Sequence, residues 1–122
     1  MELTSEDKKL IEKAKELLNK INNKSVGTAC ALISSKGNIY FGVNLGVENP
    51  SAVCAEPIAL GNMITHGENE VKTMVAYQEK GIVSPCGVCR ELLYELKIGN
   101  PWIIINNNEK TKLNELLPHP CC

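Results

Sequence analysis

Two short stretches of this 122-residue chain carry residue types that do chemistry together: Cys54-Ala55-Glu56 and Pro85-Cys86-Gly87-Val88-Cys89. Both read as helix starts, where free backbone N–H groups and a partial positive charge lower a thiol's pKa and favour the metal-binding thiolate. Cys86 and Cys89, three apart in a first helical turn, can point at one atom. Cys54 begins the preceding helix, after a neighbouring strand, so the fold can bring it to the same place. Three thiolates suit zinc, and three protein ligands leave a position for water, which is a catalytic arrangement. Zinc lowers the pKa of coordinated water to about 7, and Glu56, a carboxylate that is not a ligand, can move the protons. Residues i and i+2 do not share a helix side, so Cys54 and Glu56 meet at a site off the helix end.

Other readings of the same residues exist. Cys86-x-x-Cys89 alone reads as a redox pair or as half of a structural zinc knuckle. A closed, non-catalytic four-sulfur site is formed if Cys54, Cys86 and Cys89 are joined by Cys121 or Cys122. Glu56 argues against both, because neither has use for an adjacent carboxylate. Cys30, inside an apolar run, reads as a small core residue. Cys121 and Cys122 stay unassigned, inert at the chain end or reaching a metal, in a neighbouring subunit included. His66 reads as a helix-terminal residue and His119 as a loop residue.

The elements that must position these groups can be read from periodicity. Thr4 and Asp7 form a capping-box pair ahead of Leu10, Ile11, Ala14, Leu17, Leu18 and Ile21 at helical spacing, ended by Asn22-Asn23-Lys24. Val26–Ile33 reads as a strand buried on both faces, Ser34–Asn38 as a turn and Ile39–Val43 as the returning strand. After the polar loop Asn44–Ser51, a helix runs from about Val53 to Thr65 with Ile58, Ala59 and Met63 inward, closed by His66-Gly67. Val71–Tyr77 is a third strand, Gly81–Pro85 a loop, and Gly87–Leu96 a helix with Leu92, Leu93 and Leu96 inward, ended at Gly99. Pro101–Ile105 is a fourth strand, Asn106–Asn108 a turn, and Leu113–Leu117 a short helical piece. A fifth strand near Lys110–Lys112 would be very short. The order α-β-β-α-β-α-β implies an α/β fold, a mixed sheet of four to five strands with helices on both faces.

Thirteen basic residues against fourteen acidic ones leave a net charge of −1, which argues against a nucleic-acid surface. The lysines at positions 8, 9, 13 and 15 read as the solvated face of the first helix. The length allows one domain, 1–122. No apolar run approaches the roughly 18 residues of a membrane helix. The acidic, lysine-rich start is unlike a signal peptide, so a cytoplasmic protein without disulfides is expected.

Cys-Ala-Glu followed by Pro-Cys-x-x-Cys resembles the zinc-dependent cytidine deaminase family. Ser25–Ala29 and Gly37–Asn44 resemble its first hairpin, Ser84–Arg90 its second metal segment, and Leu113–Pro118 its Leu-Leu-Pro ending. Cys54–Gly61 and Gly81–Cys86 look closer to the blasticidin-S deaminase branch than to housekeeping cytidine deaminases. The resemblance implies a three-layer α/β/α fold and one zinc ion per subunit on Cys54, Cys86 and Cys89. It also implies hydrolytic deamination of a cytosine-type ring in a free nucleoside or nucleoside analogue. Glu56 would take a proton from water, deliver it toward ring N3 and help ammonia leave. The Ala55 N–H would bind the 2-oxo group, the Ser84 carbonyl would accept from the leaving amine, and Asn44 would contact the sugar. A homo-oligomer, tetramer or dimer, is implied as well. Lys24 replaces a ring-stacking phenylalanine, Gly46 a glutamate and Pro57 an arginine, while the tail 118–122 stands where relatives supply an aromatic residue. Arg90, the only arginine, is left as the compensating cation, expected to donate to a ligand sulfur.

Overall fold

Thr4 caps the first helix, α1 (Ser5–Lys20), with the reciprocal hydrogen bonds of a capping box: its hydroxyl accepts from the Asp7 N–H and its own N–H donates to the Asp7 carboxylate. The computed structural model describes residues 1–48 and 50–120. After α1 come β1 (Thr28–Ser34), β2 (Ile39–Val43), α2 (Ala55–Thr65), β3 (Val71–Gln78), β4 (Gly81–Val83), α3 (Gly87–Glu95), β5 (Trp102–Asn106), β6 (Glu109–Lys112) and α4 (Leu113–Leu116).

The strands form one mixed sheet in the order β2-β1-β3-β5-β6, with β4 hydrogen-bonded to β3 beside that path. β1 runs antiparallel to both β2 and β3, and β3 runs parallel to β5. β1 is buried on both faces, as a run of small and branched residues demands. Ala31 and Ile33 face α1, packed with Leu10, Ile11, Ala14, Val75 and Ile104. Cys30 and Leu32 face the other layer, among Ala59, Leu60, Met63, Met74, Leu93 and Ile103. The two apolar clusters make three layers, α1 on one face and α2 with α3 on the other. Cys30 is a packing residue, as read.

The sheet holds six strands, one more than the upper expectation. Gly81–Val83, read as a loop, is a strand because the chain turns tightly at Gly81 (φ 127°) and pairs Val83 with Ala76. That hairpin sends Ser84 and Pro85 back along the sheet and so aims the start of α3. Inward positions shift too: Ile58 is only half-buried, and Leu96 caps α3 at 40% exposure while Leu93 is fully buried.

Gly42 on β2 sets where α2 lies. A β-carbon there would stand 2.3 Å from the Ala59 nitrogen and 2.6 Å from the Ala55 oxygen, so helix and strand backbones touch through the glycine. Gly67 (φ 87°) closes α2 in the left-handed conformation expected of it. No helix among the described residues is long and apolar enough to cross a membrane.

Candidate active site

The starts of α2 and α3 converge at the end of the sheet where β1 begins and β2 and β3 end. Cys54 is the N-cap of α2 and Cys86 the N-cap of α3, and neither spends its side chain on a cap hydrogen bond. Cys89 lies one turn into α3, 1% exposed. The three Sγ atoms are all within 4.8 Å of one another. Tetrahedral zinc with Zn–S bonds of about 2.3 Å wants sulfurs about 3.8 Å apart, so the set fits one ion with a small closure.

The thiols share the helix-start environment but not its effect. The Cys89 N–H, outweighing burial with help from the Val88 N–H and the neighbouring thiols, holds Cys86 below the ordinary thiol range. Cys54 is drawn down by a hydrogen bond with Cys89, yet burial and the charges of Cys86 and Glu56 push it up overall. Burial, then the Glu56 charge, pushes Cys89 far up. The expectation that each helix start lowers its thiol therefore holds for Cys86 and fails for Cys54 and Cys89, because burial of Cys89 and the neighbouring negative charges around both outweigh a helix end. A divalent cation on the three sulfurs removes that repulsion, so the donor set is chemically fitted to zinc.

Glu56 is 6% exposed in the first turn of α2. Burial pushes its carboxyl above the ordinary range, partly offset by its own backbone N–H. It lines a cleft of about 310 Å³ together with the three cysteines, Asn44, Ala55 and Ser84. The structure thus brings together every candidate except Arg90, which stands just behind.

Two of these residues have protein partners that the sequence did not announce. The Asn44 side-chain oxygen accepts from the Gly27 and Thr28 N–H groups at 2.7 and 2.9 Å, so Asn44 ties the loop to β1 while lining the cleft. Arg90 was expected on a ligand sulfur; its Nε instead donates to the Pro85 oxygen at 2.8 Å, and its terminal nitrogens to the Leu116 oxygen at 3.1 Å and Ser84 Oγ at 3.0 Å. Three oxygen acceptors within reach of its fork suit a guanidinium better than a thiol does. Gly46 is sterically required: a β-carbon there would meet the Ser25 carbonyl oxygen at 2.9 Å. Lys24 is exposed in a turn.

Sequence reasoning missed Thr28 and Gln78, which line the cleft and are joined by a 3.1 Å hydrogen bond from Gln78 Nε2 to Thr28 Oγ1. They face each other in the β1–β3 register, and no local motif announces a pairing between residues fifty apart. Cys121 and Cys122 lie outside the described residues, and with them the four-sulfur site.

Known proteins match this arrangement. Residues 4–105 match the family model of the cytidine and deoxycytidylate deaminase zinc-binding region. The chain is 31% identical over 132 aligned positions to the blasticidin-S deaminase of Bacillus cereus, covering 95% of this chain and 92% of that one. It is 33% identical over 96 positions to the cytidine deaminase of Sporosarcina psychrophila, covering 72% and 69%. Among solved structures, the cytidine deaminase of Burkholderia pseudomallei gives a TM-score of 0.77 at 27% identity, covering 98% of this chain and all of that one (100%). The Mycobacterium tuberculosis cytidine deaminase gives 0.78 at 21% identity, covering 94% and 96%, a likeness of fold. With its three sulfurs and a buried glutamate gathered in the stretch that the family model describes, the chain belongs to the cytidine and deoxycytidylate deaminase family.

Proposed function

We propose that this protein is a single-domain, zinc-dependent hydrolytic deaminase that converts the cytosine-type amino group of a free nucleoside or nucleoside analogue to a keto group with release of ammonia. The observation that carries the reading is one cleft holding Cys54, Cys86, Cys89 and the buried non-ligand carboxylate of Glu56. Its volume of about 310 Å³ suits a small ligand, at the lower end of the usual range for such sites. The relatives' names span cytidine and blasticidin S, and the similarity to the blasticidin-S deaminase runs over 95% of this chain.

Zinc held by the three cysteines would supply Lewis-acid activation of water near neutral pH. Glu56 would accept a first proton from that water on its carboxylate and pass it to ring N3, then take the second from the hydroxyl added to the ring and give it to the departing amine. A C–O bond forms at the ring carbon, the C–N bond breaks, and ammonia leaves. Burial suits Glu56 to this work, because a carboxyl pushed above its ordinary range is a stronger base for the proton it must take. The Ala55 N–H, at the start of α2, would orient the 2-oxo group, and the Ser84 carbonyl would accept from the amine. Asn44 would meet the sugar with the second hydrogen of its amide nitrogen, since its oxygen accepts from Gly27 and Thr28 and the nitrogen also donates to the Ser25 oxygen at 3.4 Å. Leu45 lines the cleft, and Leu45, Val47 and Val88 are 47, 44 and 78% exposed. Such apolar exposure supports a homo-oligomer, tetramer or dimer, meeting beside the site. A cytoplasmic location fits a free nucleoside substrate.

The test is ammonia release from cytidine, deoxycytidine, blasticidin S and cytosine, with Glu56→Ala as control. Turnover of at least one compound, lost in a variant that keeps one zinc per chain, is expected. Stoichiometric zinc with no ammonia from any of them would establish a non-catalytic zinc domain instead.

A further inference from the structure

The chain has one arginine, and its side chain reaches three elements at once. From the first turns of α3 it reaches back to the residues leaving β4, Ser84 and Pro85, and across to the last carbonyl of α4 at Leu116. Its backbone N–H meanwhile donates to the Cys86 oxygen at 2.9 Å. Arg90 therefore grips the metal turn on both sides: it follows Cys89 directly and fastens the two residues before Cys86. The Leu116 carbonyl is an orphan of a four-residue helix, left without a partner by the helix itself. A planar fork spreads its donors over three nitrogens and so spans three separated oxygens, whereas a lysine carries its three donors on a single nitrogen.

We propose that Arg90 is a positioning residue for the zinc site, holding the Cys86 and Cys89 sulfurs at ligand spacing and locking the segment Leu113–Leu116 to the metal turn through oxygen contacts. It acts by geometry, not by placing positive charge on a thiolate. The inference rests on the three cysteines holding zinc and is independent of which substrate is deaminated. Outer partners that orient metal ligands are worth about 10- to 100-fold in metal affinity, and that is the effect expected here.

The experiment compares wild type, Arg90→Gln, Arg90→Lys and Ser84→Ala, loaded with zinc and challenged with excess chelator at a temperature where circular dichroism shows each folded. Zinc release should be about 10- to 100-fold faster in Arg90→Gln and in Arg90→Lys alike, and a few-fold faster in Ser84→Ala, which removes one of three acceptors. In cobalt-substituted protein, the visible ligand-field bands of the two Arg90 variants should shift together. Wild-type release and bands in Arg90→Lys would overturn the proposal in favour of charge compensation, and wild-type behaviour in Arg90→Gln would overturn it outright. If Arg90 variants do not fold, Ser84→Ala decides: release unchanged from wild type overturns the proposal. Wild-type protein that takes up no zinc would instead defeat the assignment of the three-cysteine site itself.

Discussion

Helix α2 carries a buried carboxylate at each end, and the two are held in opposite ways. Glu56, in the first turn, is 6% exposed; Glu68, just past the C-terminus, is 7% exposed. The helix dipole alone favours an anion at the first position and opposes one at the second. The observed directions are reversed: Glu56 is pushed up and Glu68 is held down. The cause is the supply of donors. Ser34, Tyr40 and Asn38, at the hairpin end opposite the cleft, hold Glu68 down: the Tyr40 hydroxyl and Asn38 Nδ2 (2.8 Å) both donate to Oε2, while Oε1 is buried without a hydrogen-bond partner among the described residues. Glu56 has burial and its own backbone N–H. Desolvation and local hydrogen bonds decide a carboxyl's state here, and the helix end is a minor contribution. One end of α2 is tied to its neighbours, and the other leaves unfastened the carboxyl that we propose carries protons.

The sharpest way to break the comparison is Glu56→Gln. General acid–base catalysis is worth about 10²- to 10⁴-fold, so turnover should fall by about that factor while zinc content is unchanged. Because a poorly solvated carboxylate is removed, the thermal midpoint should hold or rise. A clear drop in Tm would show that Glu56 is a structural group like Glu68, and the contrast would fail.

A third buried carboxylate calibrates the other two. Asp7, 1% exposed, pairs with Lys110 at 2.7 Å, and Lys110 also lies 4.8 Å from the Trp102 ring centre. Removing one partner of a buried ion pair costs about 3–5 kcal/mol, so Lys110→Met should lower stability in chemical denaturation by that order without slowing deamination at temperatures where it is folded. Burial alone pushes Asp7 up, but hydrogen bonds from Lys110 and Thr4 and the ammonium charge more than offset it. Its carboxyl is depressed in the folded state, so it stabilises above the ordinary value of 3.8 and that contribution is lost as pH falls further.

Gly42→Ala tests whether both ends depend on one seating of α2. The added methyl meets backbone at 2.3 Å, and overpacking costs about 1–3 kcal/mol or more. Both zinc retention and the Tm should fall. A variant that loses only one of them would show that the two ends are set separately.

How much of this was legible in the sequence follows the range of the interactions. Thr4 and Asp7, three apart, gave the capping box because both partners lie in one turn. Cys54, Glu56, Cys86 and Cys89 gave the site because their chemistry is specific at short spacing. Asp7–Lys110, Thr28–Gln78 and Tyr40–Glu68 were invisible, since each joins residues that only the strand order brings together. Arg90 was noticed for its charge and its partner was misjudged: which acceptor a long side chain reaches depends on where α4 ends, a fact of packing.

The smallest expected effect lies at the Glu68 end and is a matter of pH. A carboxyl whose folded-state pKa is below its ordinary 4.5 stabilises the fold above that value, and the contribution disappears as pH falls through the folded-state pKa. Glu68→Gln keeps the shape and an oxygen acceptor for Tyr40 and Asn38 but cannot carry the charge. It should melt below wild type at pH 7, by less than Lys110→Met, and the gap should close as melts are taken from pH 5 down to pH 3. Asp7 titrates in the same window in both proteins, so subtracting the two curves removes its contribution and leaves that of Glu68. Tyr40→Phe, which withdraws one donor, should give a smaller gap with the same direction of pH dependence. A gap that stays constant or widens in acid would mean that the Glu68 carboxyl is not held down in the folded protein, and the contrast between the two ends of α2 would fail.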